Sequence, residues 1–112
     1  MRLTEYERDE IVQLARELFG AGAVVRLFGS RLDDHATRGD IDLHIVAEGE
    51  MATFQNELKF AAEMKERIGD VQVDVIVRKP GYRPRGIDQV ALRTGLMLSD
   101  FKSIYRDEKS VG

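Results

Sequence analysis

The chain has 112 residues, 43% of them hydrophobic and 33% charged, with only two prolines. This excludes a disordered tail and fits a single domain over 1–112. Seventeen basic residues against twenty acidic ones leave a net charge of −3, which argues against strong nucleic-acid binding through phosphates. The lack of cysteine excludes a disulfide framework, a zinc knuckle and a thiol nucleophile.

The first predicted element is a helix from Thr4 to Phe19. Thr4 and Glu7 have capping-box spacing, and Ile11, Leu14, Ala15, Leu18 and Phe19 form one apolar stripe. Gly20 and Gly22 break it, and Ala23–Phe28 reads as a strand ended by Gly29-Ser30. A polar loop or short helical turn runs to Gly39. Asp40–Val46 alternates, with Ile41, Leu43 and Ile45 facing the core and Asp40, Asp42 and His44 facing outward on an open surface.

Met51–Ile68 reads as a second helix whose apolar side is Phe54, Leu58, Ala61 and Ile68, with Gly69 as its stop. Val71–Val77 is the third strand, its four valines toward the core and Asp74 on the other face with Gln72 and Ile76. Lys79-Pro80-Gly81 turns the chain, and a third helix is expected from Ile87 to Leu98. The helix-length link between the second and third strands fits a parallel crossover, while the first link permits an antiparallel pair. The expected fold is α+β: a small mixed sheet with helices packed on one face and an open, carboxylate-bearing face. No apolar run approaches the ~18 residues of a membrane span and no signal-peptide core is visible, so a soluble cytoplasmic protein is expected.

Chemistry is concentrated on that open face. The i, i+2 spacing of Asp40 and Asp42 places both carboxylates on one side of the pleat, about 7 Å apart. Neighbouring anions repel, and a hard cation such as Mg²⁺, which takes oxygen ligands and shares phosphate oxygens, relieves the repulsion. Asp74, on the polar parity of its strand, completes a set able to clamp two ions around an in-line phosphoryl displacement. Gly29 lets backbone N–H groups approach a phosphate, the Ser30 hydroxyl can donate, and Arg31 can neutralise part of a triphosphate. Taken singly, a Gly-Ser is commonly a turn and an Asp-x-Asp commonly solvated surface. His44 reads as a polar neighbour of the pair and His35 as a loop residue.

The run LFGSRLDDHATRGDIDLHIV followed by VDVIV resembles the minimal nucleotidyltransferase domains of the DNA polymerase beta superfamily. The likeness extends over nearly the whole chain and includes ALRTGLML, similar to the last helix of that family. It implies that Gly29 and Ser30 hold a nucleoside triphosphate, ATP as co-substrate, and that Asp40 and Asp42 bind Mg²⁺. Asp74 would help deprotonate the attacking hydroxyl. Members include antitoxins that modify a tyrosine of a partner HEPN-domain ribonuclease, and others that modify aminoglycosides. The expected activity is therefore transfer of a nucleoside monophosphate, AMP from ATP, to an acceptor hydroxyl. The alternative is a subunit that neutralises a partner by occlusion without turnover. An intact Asp40, Asp42 and Asp74 set favours the enzyme.

The expected partners are the nucleotide and either a HEPN-type toxin or further copies of the chain. The C-terminal Leu96, Met97, Leu98, Phe101, Ile104 and Tyr105 offer apolar surface for that contact.

Overall fold

The structure is a computed structural model that describes residues 3–29, 40–69 and 71–99. Helix α1 spans Glu5–Phe19, with the expected capping box: the Thr4 hydroxyl accepts from the Glu7 N–H at 3.0 Å, and Glu7 Oε1 accepts from the Thr4 N–H at 3.0 Å. Strands β1 (Val24–Phe28) and β2 (Ile41–Val46) pair antiparallel. Helix α2 (Phe54–Ile68), capped by Thr53 and stopped at Gly69, crosses over to β3 (Val73–Arg78), which lies parallel to β2. Helix α3 (Gly86–Thr94) follows, then β4 (Leu96–Met97). The sheet order is β3-β2-β1-β4.

The core lies between α1, α2 and one sheet face. It contains Ile11, Leu14, Phe19, Phe60 and Met64 from the helices and Val25, Leu27, Ile41, Leu43 and Ile45 from the strands. Phe19 and Phe60 meet at a centroid distance of 5.7 Å and fix the end of α1 against the middle of α2. Arg67 reinforces it from outside, pairing with Glu10 at 3.4 Å and with Glu63 of its own helix at 3.6 Å. Valines 71, 73, 75 and 77 pack against the core as expected.

Three expectations need correction. The buried residues of α2 are Phe60 and Met64, not the stripe containing Phe54 and Leu58, which stand 71% and 55% exposed. Either stripe has helical period, and only the position of the sheet decides between them. The third helix stops at Thr94 rather than Leu98, because Gly95 ends it and Leu96–Met97 pairs with Leu27 and Arg26 as β4. A side chain at Gly95 would collide with the Ala91 carbonyl oxygen and crowd that of Leu27, so only glycine lets the chain turn there.

The third correction concerns His44, which is fully buried rather than on open surface. Helix α3 lies over the carboxylate-bearing face at this end, and Asp88 reaches down from it to His44. Phe101, Ile104 and Tyr105, read as docking surface, lie outside the described residues. Among the described residues no helix is long and apolar enough to cross a membrane.

Candidate active site

The strand register brings the acidic residues together. Phe28 pairs with Asp42, and Asp42 pairs with Asp74, so the two carboxylates are direct neighbours on one face across the parallel β2–β3 ladder. Adjacent strands lie about 4.8 Å apart, which sets the scale of their separation. Asp40 sits just before β2, on the same parity and exposed. The edge of the ladder starts here, with the Ile41 N–H donating to the Gln72 carbonyl at 2.9 Å.

Gly29 closes the other side. Its φ is +83°, a left-handed conformation that side chains disfavour, and a Cβ there would collide with the Asp42 carboxylate. The backbone at the end of β1 is thus pressed against the very side chain that the sequence marks as an ion ligand. Ser30 and Arg31, the other two residues expected to hold a triphosphate, lie outside the described residues, as does His35.

Electrostatics tie the three acids into one site. Burial raises the Asp42 carboxyl above its ordinary pKa of 3.8, and the negative charges of Asp74 and Asp40 push it further in the same direction. One oxygen of Asp74 accepts from Gln72 Nε2 at 3.2 Å. Among the described residues no three His or carboxylate side chains are gathered closely enough to hold an ion by themselves. One or two carboxylates completed by phosphate oxygens and water is the ordinary environment of Mg²⁺, and this donor set fits it.

Two residues beyond Asp42 on β2 is an arrangement that sequence reasoning missed. His44 Nε2 lies 2.8 Å from Asp88 Oδ1, the same oxygen accepts from Arg78 Nε at 2.9 Å, and the Arg85 N–H donates to Asp88 Oδ2 at 2.8 Å. Burial alone would raise the Asp88 carboxyl. The hydrogen bonds from Arg78, the Arg85 backbone and His44, with the charge of Arg78, outweigh it and hold the group well below the usual carboxylate range. The Tyr82 ring packs at 5.8 Å from the imidazole, and His44 Nδ1 is buried without a hydrogen-bond partner. The cluster ties α3 to the strands that carry Asp42 and Asp74. Its sequence signal was a lone aspartate in the first turn of a helix, which reads equally well as surface.

The chain matches the family model of the nucleotidyltransferase domain over residues 8–95. No curated protein matches it. Among solved structures, a chain of a toxin–antitoxin complex crystallised with AMP-PNP superposes with a TM-score of 0.64 at 17% identity, covering 92% of this chain and 90% of that one. A chain of the MntA–HepT toxin–antitoxin complex superposes with a TM-score of 0.61 at 15% identity, with 96% and 95% covered. A third similar chain belongs to the complex of tri-AMPylated Shewanella oneidensis HEPN toxin with MNT antitoxin, with a TM-score of 0.60, 18% identity, and 93% and 87% covered. At these identities the likeness is one of fold, the mixed α+β architecture.

Proposed function

From the premise that the chain belongs to the nucleotidyltransferase domain family, established by the match over residues 8–95, we propose that it transfers AMP from ATP to an acceptor hydroxyl, as an antitoxin acting on a HEPN-type partner. The observation that carries this reading is the Gly29 backbone held against Asp42, itself cross-strand from Asp74.

Gly29-Ser30 and Arg31 would hold the triphosphate. Asp40 and Asp42, with Asp74 beside them, would hold Mg²⁺, two ions in the full arrangement, which supplies charge neutralisation for the reacting phosphate. The acceptor oxygen forms a bond to the α-phosphorus as the bridging bond to the β-phosphate breaks. Pyrophosphate leaves with the electron pair, and the hydroxyl proton passes to the Asp74 carboxylate. The open face provides access for an acceptor on another protein, consistent with the complexes in which similar folds occur.

The test is label transfer from α-labelled ATP to a co-expressed HEPN-type protein, run with wild type and Asp42→Asn. Label on the partner with wild type alone supports the proposal. Association of the two proteins without any label transfer would leave occlusion as the function. In thermal-shift titrations Mg²⁺ with ATP should stabilise the wild type by ~2.7 kcal/mol when free ligand reaches about 100 times its dissociation constant. An equal response in Asp42→Asn would remove Asp42 from the site.

A further inference from the structure

β3 is an edge of the sheet among the described residues, and nothing blunts it. It runs six residues, Val73–Arg78, without proline or bulge, and its side chains are mostly β-branched. The carbonyls of Gln72 and Arg78 accept from Ile41 and Ala47 of the β2 side, each at 2.9 Å, so even-numbered residues of β3 bond inward. The N–H and C=O groups of Val73, Val75 and Val77 therefore point outward, available to another strand.

The helix beside that edge is also unfinished. Because α2 connects two parallel strands it runs antiparallel to β3. Phe54, Leu58, Ala61 and Lys65 recur at helical spacing along one side of it. Ala61 and Lys65 line a cavity of about 420 Å³ with Val71, Gln72 and Val73, which places this side of the helix along the β3 edge. A second cavity of about 420 Å³, lined by Ala52 and residues 77–82, opens at the other end of the strand. Between them stand Phe54 and Leu58, 71% and 55% exposed, the two most exposed large apolar side chains of the α2 helix. An unprotected strand edge and an apolar helix stripe lying along it form one continuous surface.

We propose that this surface joins two copies of the chain, β3 pairing antiparallel with β3 of the second copy around a twofold axis. The parity of the outward groups allows several registers. A register that places Asp74 opposite Asp74 sets like charges together. Centring the pair on Ile76 instead places Asp74 opposite Arg78, and Val75 opposite Val77 as a mutually hydrogen-bonded pair. Charge selects the second arrangement: Arg78 gives Asp88 its Nε but is 31% exposed, so the rest of its guanidinium can face the Asp74 of the second copy, and the strand is complementary to itself in it. With the axis perpendicular to the sheet, both α2 helices lie on the same side and bring their Phe54 and Leu58 stripes together. The result is an eight-stranded sheet with both carboxylate faces on its opposite side. This goes beyond the proposed transfer reaction and does not depend on it.

The chain has no cysteine, so a single introduced thiol reports the register. In a pair centred on Ile76 the two Cα atoms at that position lie about 4.5 Å apart, within disulfide range. Under mild oxidation full-length Ile76→Cys should form a covalent dimer at least about tenfold faster than Val90→Cys, on the exposed side of α3. Light scattering should give a dimer for wild type at micromolar concentration and a monomer for Phe54→Glu/Leu58→Glu with unchanged circular dichroism. A monomeric wild type overturns the proposal, including the case in which a strand of a different protein occupies the edge. So does an Ile76→Cys variant that crosslinks no faster than Val90→Cys, a readout that stands even where the double variant does not fold.

Discussion

At Asp42 burial and the neighbouring negative charges of Asp74 and Asp40 work against the fold. Its folded-state pKa is raised above 3.8, so the native state holds its proton at a pH where the unfolded chain has released it. Stability contributed by this group is present at low pH and falls as pH rises from about 3.8 through the raised value. Asp42→Asn should therefore stabilise the protein without ligands at neutral pH and flatten the pH dependence in that window, as urea midpoints across pH will show. Leu43→Asp, one residue along but in the core, should cost several kcal/mol by burying an unpaired charge. Gly29→Ala combines a disfavoured φ with a collision at Asp42 and should cost at least ~1 kcal/mol along with nucleotide binding. The alternation of β2 and β3 made Asp42 and Asp74 legible as a pair in the sequence, since parity is a local property. His44 has the same parity and was misread as exposed, because its partner Asp88 lies 44 residues away. Local spacing reports which way a side chain points, not what comes to cover it.

Helices show the same division. The capping box of α1 was readable because all its atoms lie within one turn, and Thr4→Ala should cost ~1 kcal/mol in thermal unfolding. The buried side of α2 was not readable, since Phe54 and Leu58 match the helical period as well as Phe60 and Met64 do. Helix α3 is held through Asp88, whose carboxylate bridges His44 and Arg78. Truncating one member of a buried charge pair typically costs about 3–5 kcal/mol, and Asp88→Ala should approach that range. The sign with pH is opposite to that at Asp42. A carboxylate whose folded-state pKa is lowered contributes stability above 3.8 that is lost as pH falls through the folded value. The wild type and Asp88→Ala should thus converge in stability only as pH falls below about 3.8, as urea midpoints in that range will show.

Across the whole molecule, the mixed sheet followed from the lengths of the connections, and the family match over residues 8–95 agrees with it. The outer strand β4 was missed because two residues carry no periodicity. It exists only through its pairing with β1, some seventy positions earlier in the chain. That distance has a kinetic consequence. All three candidate acids lie on β2, β3 or their approach, where strand partners such as Asp42 and Asp74 are about thirty positions apart, under half the separation that β4 must close. β4 must instead close a loop through most of the protein, an entropic barrier that places its docking late in folding. Met97→Ala should accordingly speed unfolding while leaving the refolding rate nearly unchanged in stopped-flow measurements. During synthesis, the strands that carry the three acids would leave the ribosome before β4 does.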